Sequence, residues 1–276
     1  MDVGNVNNLN SSGICILSNI IGWIYFTAWT ISFYPQIWEN YTRHSVTGLC
    51  IDYPVYNFTG YLSYSVFTVW GYFDKNIGTG PIELQDLLFA VHGFIMTNVI
   101  LGQVFYYYDR EEKYHKVSFL TVCISFCVWW GFIILLIMER LNIYDYKDVK
   151  DKAFPFNSII YLGFCKAIIT LIKYIPQVIL NYKRKSTEGW NILNIWLDFF
   201  GGLLSLFQNL FDTLYDCASS SSSGDENKAL NFVKYCLSFI TLFFNIIFFI
   251  QHYYLYRRTN KIQLEELSEN LIPYKE

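Results

Sequence analysis

Charged residues are scarce in this chain, and the shortage excludes most soluble folds. Lys and Arg number 20 and Asp and Glu number 23 among 276 residues, so that 16% of the chain is charged. About a quarter of an average soluble domain is charged. The net charge of −3 also lacks the basic excess of a nucleic-acid-binding protein, and no nucleic-acid partner is expected.

Motifs of metal, phosphate and nucleophilic chemistry are missing too. The chain has 4 His, none of them paired at helical spacing, and it has neither a glycine-rich loop after a strand nor a Ser–His constellation. We therefore expect no enzymatic activity, no metal ion and no cofactor.

The cysteine spacing of a secreted disulfide framework is also absent. Such frameworks place cysteines in loops, whereas most of the 7 cysteines here lie within or beside apolar runs. Those within the runs are Cys15, Cys123, Cys127, Cys165 and Cys236, and Cys50 and Cys217 lie near their ends. The pattern predicts small buried hydrophobes rather than disulfides.

Long hydrophobic runs are what the chain has in abundance. Hydrophobic residues make up 53% of the sequence and form segments of about 20 residues, the length that crosses a bilayer of about 30 Å. Seven such segments lie at 14–38, 50–73, 86–108, 117–138, 156–181, 192–215 and 229–256. They predict an all-α membrane protein with seven transmembrane helices in contact with membrane lipids.

The charges outside these segments predict the orientation. Eleven Lys and Arg residues lie in one alternate set of connecting segments and six in the other, and positive charge is retained on the cytosolic side. The amino terminus is therefore expected in the lumen and the carboxyl terminus in the cytosol. Residues 1–13 carry no Lys or Arg, unlike the start of a cleavable signal peptide, so the first span is expected to remain.

An internal repeat is the strongest pattern. Residues from 34 onwards align without a gap to residues from 175 onwards at an offset of 141, and eleven of 34 pairs are identical. Matched residues include Pro35/Pro176, Gln36/Gln177, Asn40/Asn181, Arg43/Arg184, Gly48/Gly189 and Gly60/Gly201. Each copy begins near the end of one span and continues into the next, which predicts two parallel three-helix bundles joined by a linker helix. The expected parts are a lumenal tail at 1–13, a first bundle at 14–108, the linker helix with its loops at 109–155, a second bundle at 156–256 and a cytosolic tail at 257–276.

Ionisable residues inside the spans indicate a function, because a charge in the bilayer needs a partner or a water-filled cavity. The clearest are Lys166, Lys173 and Asp198. At helical spacing Lys166, Lys173, Gln177 and Asn181 share one face of the fifth span, and Asn191, Asn194, Asp198, Ser205 and Gln208 share one face of the sixth. Two polar stripes lining a central cleft are expected, although polar residues also serve as glue between membrane helices. One Lys–Asp pair would leave the second lysine without a counter-charge, which a substrate carboxylate could supply.

The two Pro-Gln pairs predict kinks at matched places in the repeats. Pro35 and Pro176 each remove a backbone hydrogen bond, and the freed carbonyls could be covered by Gln36, Gln177 or water. Matched kinks are suited to the hinges of alternating access, so these four residues are candidate hinge residues.

Several stretches together resemble the PQ-loop transporter family. They are IGWIYFTAWTISFYPQ (21–36), NFTGYLSYSVF (57–67), IKYIPQVILNYKRKSTEGW (172–190), LDFFGGLLSLFQ (197–208) and FFIQHYYLY (248–256). The resemblance is to the branch that carries cystine with protons out of lysosomes. It implies that the substrate is contacted by Asn57, Lys166, Lys173, Tyr174, Asn181, Asn194 and Asp198, and that protons are coupled through Asp86 and Asp198. Asn245 departs from the family pattern, which has a titrating aspartate at this position.

The resemblance thus implies a proton-coupled exporter of cystine in an acidic, lysosome-like membrane, monomeric and with protons as the only coupling ion. Two alternatives stay open: an uncoupled or differently coupled facilitator of another solute, such as a cationic amino acid or a sugar, and a seven-helix receptor or scaffold. The stretch from Glu266 to Leu271 and Ile272 approximates an acidic dileucine signal that sorting adaptors read, with its spacing off by one residue.

Overall fold

The computed structural model describes residues 3–74, 82, 84–109, 115–141, 143, 157–215 and 224–259, and the statements below concern these residues. The sorting stretch predicted at residues 266–272 and most of the loop between the fourth and fifth spans lie outside them.

The described part of the chain is helical, as predicted. Its helices are α1 (Val3–Ile31), α2 (Phe33–Arg43), α3 (Asp52–Phe73), α4 (Leu84–Tyr106), α5 (Phe119–Arg140), α6 (Ser158–Ile172), α7 (Tyr174–Arg184), α8 (Ile192–Tyr215) and α9 (Gly224–Phe249), and α9 continues into a π-helical segment, Ile250–Leu255. Helix α1 begins at Val3, so most of the segment expected as a tail at 1–13 is helical.

Five helical stretches are long and apolar enough to cross a membrane. They are Gly13–Arg43, Leu84–Tyr106, Phe119–Arg140, Ser158–Arg184 and Ser238–Leu255. The other two predicted spans coincide with α3 and α8, which are 22 and 24 residues long. Helix α3 packs against α4, α5, α6 and α7 and buries polar side chains such as Asn57, Thr59 and Ser63. These inward-facing polar residues reduce the apolar content of α3.

One cysteine differs from expectation. Cys15 is disulfide-bonded, so its prediction as an unpaired buried hydrophobe is wrong. The thiols of Cys50 and Cys165 are free and buried as expected, whereas that of Cys127 is free and exposed.

The helices pair across the two repeats in the same way. Helix α1 packs along α8, and its counterpart α6 packs along α3. A glycine permits each close approach: a Cβ atom at Gly60 would lie 3.0 Å from Ile169, and one at Gly201 would overlap the Trp29 ring. Within the repeats, α3 packs on α4 and α8 on α9.

Both Pro-containing helices are interrupted where proline chemistry requires it. A proline ring clashes with the carbonyl four residues earlier, which is that of Ile31 for Pro35 and of Ile172 for Pro176. Helix α1 ends at Ile31 and helix α6 ends at Ile172, and α2 and α7 start two residues further on. The kinks predicted from the sequence are therefore present.

The two glutamines do not cover the carbonyls freed by these kinks, and that expectation is wrong. The Gln36 amide donates to the Gly189 carbonyl at 2.9 Å and accepts from the Asn191 N–H at 3.0 Å. In the other direction, the Gln177 amide donates to the Gly48 carbonyl at 2.9 Å and accepts from the Cys50 N–H at 2.7 Å. We call these two sets of contacts the crossed staples, since each ties one repeat to the loop of the other.

Each staple continues to a third helix of its own repeat. Asn40 accepts from Gln36 and donates to Gln103 on α4, and Gln103 in turn donates to a carbonyl of α2. The second repeat has the same chain of bonds, from Gln177 to Asn181 to Gln251. One charged contact breaks the symmetry, because Arg43 pairs with Glu188 at 2.7 Å.

Candidate substrate site

The helix break in the second repeat brings a cation and a phenol to the middle of the molecule. Lys173 is the residue between α6 and α7, and Tyr174 is the first residue of α7. Both are buried, with exposed fractions of 7% and 2%. The matched residues of the first repeat are Ser32 and Phe33, so only the second break carries a charge.

Asp198 lies opposite Tyr174 and holds three helices together. Its Oδ2 atom accepts a hydrogen bond of 2.9 Å from the Tyr174 hydroxyl and one of 3.1 Å from the Asn245 amide. On its other side α8 contacts α1, where the Trp29 indole donates to the Asp198 backbone carbonyl at 3.3 Å. The carboxylate is only half-buried, whereas Asn245 has no exposed surface.

The two lysines lie over tyrosine rings instead of pairing with Asp198. The Lys166 Nζ atom is 3.7 Å from the centre of the Tyr61 ring, and the Lys173 Nζ atom is 4.6 Å from that of Tyr174. Among the described residues neither ammonium has a carboxylate oxygen within 4.0 Å, so the expected Lys–Asp pair is wrong as a direct contact. A ring face attracts a cation through its quadrupole but carries no net charge.

The site therefore has more positive than negative charge. Lys166 and Lys173 supply two cations, and Asp198 supplies one anion on the other side of Tyr174. An isolated buried charge is costly, which favours a ligand that brings carboxylates to the lysines. The arrangement can bind a carboxylate at one side and an ammonium group at the other.

Buried acceptors without a donor mark two further positions. The Oδ1 atoms of Asn57 and of Asn245 are buried and have no hydrogen-bond partner among the described residues. Asn57 is the counterpart of Asp198 in the repeat alignment, and it is 4% exposed. The Tyr53 side chain lies beside it, and the Tyr53 ring is tilted against the Tyr174 ring with their centroids 6.0 Å apart. Asn57 thus belongs to the same cluster as Asp198.

Not all residues implied by the resemblance lie in this cluster. Asn181 belongs to the crossed staples, where both ends of its amide are occupied by Gln177 and Gln251. Asn194 is half-buried on the first turns of α8, one turn before Asp198. The predicted stripes of α6–α7 and α8 are thus divided between the staples and the cluster.

Asp86 is separated from Lys166 by the side chain of Tyr64. It is in the first turn of α4, and its carboxylate lies near the Tyr64 hydroxyl. The ring of Tyr64 is in turn 6.0 Å from the Lys166 ammonium.

Sequence reasoning missed the tyrosines and the third-helix glutamines. Tyr53 and Tyr61 look like ordinary aromatic residues in an aromatic-rich chain, and no spacing rule distinguishes them. Gln103 and Gln251 do carry a signal, since both stand near the end of the third span of a repeat. The gapless alignment does not pair them, because Gln103 and Gln251 are 148 residues apart and the offset of 141 places Gln103 opposite Phe244. A gap of seven residues before the third span would have been needed to find them.

Comparison with known proteins agrees with the two repeats. A family model described as the PQ loop repeat matches residues 17–77 and 159–215, each of which holds one helix break and one staple loop. A cystinosin homolog from Dictyostelium discoideum is 38% identical over 95% of this chain and 89% of its own length. Cystinosin from Bos taurus is 33% identical over 91% of this chain, which spans 66% of that protein. A cystine transporter from Saccharomyces cerevisiae is 29% identical over 87% of this chain and 94% of its own length.

Proposed function

The chain belongs to the PQ-loop family and to its cystinosin branch, and from this premise we propose that it exports cystine, or a closely related amino acid, from an acidic lumen to the cytosol together with protons. The proposed compartment is a lysosome or vacuole, with the amino terminus in the lumen. The proposed architecture has seven spans, in which α3 and α8 cross the membrane with the five more apolar stretches.

The assignment of the substrate rests on the mixed charge of the site. Cystine has two carboxylates and two ammonium groups. Lys166 and Lys173 lie over neutral rings and are available for the carboxylates, and Asp198 is available for an ammonium group. A neutral sugar would leave all three charges uncompensated, which argues for an amino acid over a sugar.

Proton coupling is proposed at Asp198 and Asp86. Asp198 is half-buried between two hydrogen-bond donors, and its charge changes when it takes up a proton. An ammonium group and a proton compete for this one carboxylate, so symport requires Asp86 to hold the proton while Asp198 binds the ammonium group. Asp86 is joined to the cluster through Tyr64 and Lys166 and would load protons from the lumen.

Movement between lumen-open and cytosol-open states is proposed at the two helix breaks. Pro35 and Pro176 stand at matched places in the repeats, so a change of angle at both would move α2 and α7 together. Gln36 and Gln177 connect those helices to the opposite loops and would have to release them when the cytosolic side opens.

Uptake by proteoliposomes with an imposed pH gradient tests this function. Purified protein should accumulate labelled cystine when the side that corresponds to the lumen is acidic, and Asp198→Asn should abolish the accumulation. Asp109→Asn is the matched control, because Asp109 is an exposed aspartate beyond the end of α4. Uptake of cystine that ignores the gradient would make the protein a facilitator, and transport of lysine instead of cystine would overturn the substrate.

A further inference from the structure

Asn245 presents an unexplained acceptor beside Asp198. Asn245 has 0% exposed surface, and its Nδ2 atom donates to Asp198 Oδ2 at 3.1 Å. Its Oδ1 atom is buried and accepts no hydrogen bond from any described residue. Leaving such an acceptor unpaired in the interior costs free energy, so native structures keep few of them without a reason.

The neighbouring carboxylate has a free atom as well. Both donors to Asp198, the Tyr174 hydroxyl and the Asn245 amide, bind Oδ2. No described residue donates to the Oδ1 atom of Asp198. The Oδ1 atoms of Asp198 and Asn245, one charged and one neutral, therefore belong to hydrogen-bonded neighbours and have no donor among the described residues.

The first repeat carries the same arrangement without the charge. Asn245 lies six residues before Gln251, and Thr97 lies six residues before the equivalent Gln103. The Thr97 hydroxyl is also buried without a partner among the described residues. Tyr61 of α3 contacts Gly93 of α4, and the two helices are antiparallel, so Asn57 and Thr97, each four residues from this contact on its own helix, lie at the same level. In the same way, the contact of Gly202 on α8 with Thr241 on α9 places Asp198 level with Asn245.

Unpaired acceptors at both pairs indicate a ligand with N–H donors. A primary ammonium group has three N–H donors and one positive charge. The pair on α8 and α9 offers it one carboxylate oxygen and one amide oxygen. Lys166 and Lys173 lie over the rings of Tyr61 and Tyr174 and repel ammonium, so they do not compete for this position.

We propose that Asn245 is a substrate-binding residue which, together with Asp198, forms the subsite for an ammonium group of the transported amino acid. This rests on the proposed transport function and adds the residue that determines specificity for the amine. Asn245 keeps its acceptor oxygen at every pH, so it contributes to binding whether or not Asp198 carries a proton.

Analogues of cystine that lack one kind of charge test the proposal. Cystamine has the two ammonium groups and no carboxylate, and 3,3′-dithiodipropionate has the two carboxylates and no ammonium group. Their binding to the full chain in detergent is measured by the shift in unfolding temperature, and their inhibition of labelled cystine uptake is measured in proteoliposomes.

Asn245→Leu should weaken cystamine about tenfold or more, since a hydrogen bond to a charged group is lost, and should leave 3,3′-dithiodipropionate within about twofold. Asn245→Asp retains an acceptor oxygen and should keep cystamine binding. Asn98→Leu is the control, because Asn98 is exposed and bonds only to the Phe94 carbonyl of its own helix.

Unchanged cystamine binding by Asn245→Leu would overturn the proposal, as would an equal loss of both analogues, which indicates a structural role. The opposite selectivity is expected for Lys173→Ala, which should lose 3,3′-dithiodipropionate and keep cystamine. Failure of the wild-type protein to take up cystine would overturn the proposed function alone, because cystamine binding is measured separately from transport.

Discussion

At the residue scale, the site depends on how tyrosine rings hold two lysines away from the one carboxylate. Tyr61 lies beneath Lys166, and Tyr174 both lies beneath Lys173 and donates to Asp198. A direct Lys–Asp pair would neutralise the groups that bind a zwitterion in our proposal. Separation by a phenol keeps them available while lowering the cost of the buried cation through its interaction with the ring.

Lys173→Ala should weaken cystine binding more than tenfold. The lysine ammonium donates to a substrate carboxylate in our proposal, and hydrogen bonds to charged groups contribute about 1.5–3 kcal/mol. The measurement is concentration-dependent cystine uptake at matched protein level. Lys185→Ala is the control, since Lys185 is an exposed cation that lies over the Tyr182 ring at the end of α7. Wild-type uptake by the Lys173 variant would remove this lysine from the site.

At the scale of elements, the two loops that follow α2 and α7 are built alike. Each begins with a residue in the left-handed conformation, His44 or Lys185, and then reaches a glycine at positive φ. The φ angles are 103° at Gly48 and 85° at Gly189. These glycines lie against each other's loop, and this close approach lets the glutamines reach the opposite backbone.

Gly48→Ala and Gly189→Ala should each destabilise the protein severely. The backbone conformation disfavours any side chain by about 1–3 kcal/mol, and the new Cβ atom would overlap the Glu188 or the Thr47 carbonyl. Unfolding temperature in detergent measures the loss. Gly102→Ala should have little effect, because nothing lies within 4 Å of a Cβ atom at Gly102. Tolerance of alanine at either loop would mean that the loops separate easily.

Gln36→Ala and Gln177→Ala should lower stability by similar amounts. Each removes the partner of one buried carbonyl and one N–H, at a cost of about 1–3 kcal/mol per unsatisfied group. Chemical unfolding of the purified variants would give the two free energies. A large difference between them would show that the Arg43–Glu188 ion pair, whose repeat counterparts are Arg184 and Thr47, dominates the closure.

At the scale of the whole molecule, two repeats enclose one site whose charge comes from one of them. The first repeat supplies Asn57 and Ser32 where the second supplies Asp198 and Lys173. The staples are symmetric, so in our proposal both repeats take part equally in closing the molecule, while the second repeat binds most of the substrate's charges. This division fits a transporter in which symmetric movement serves an asymmetric ligand.

Terminal tags should report a lumenal amino terminus and a cytosolic carboxyl terminus. The expectation rests on the eleven-to-six distribution of Lys and Arg between the two sets of connecting segments. Protease treatment of sealed organelles should leave an amino-terminal tag intact and remove a carboxyl-terminal one. Both termini on the same side would contradict seven spans and, with them, the arrangement of two three-helix bundles and a linker.

The sequence by itself determined the helices, the repeat and the charged residues of the site. Hydrophobic length predicted long helices, and the matched prolines predicted the kinks that the structure places after Ile31 and Ile172. The rarity of buried charge singled out Lys166, Lys173 and Asp198. These features follow from local chemistry: proline lacks an N–H, and a charge is costly in hydrocarbon wherever it lies.

Only the tertiary structure decided which groups meet. Helical periodicity indicates that Lys173, Gln177 and Asn181 share a face. In the structure the lysine lies over Tyr174, the Gln177 amide reaches the opposite loop, and the Asn181 amide donates to Gln251 of its own repeat. The contact of Asn245 with Asp198 depends on the close packing of α8 on α9. Periodicity describes one helix at a time, whereas the partner of a polar side chain depends on the rotation and spacing of a neighbouring helix, which the packing of all the others sets.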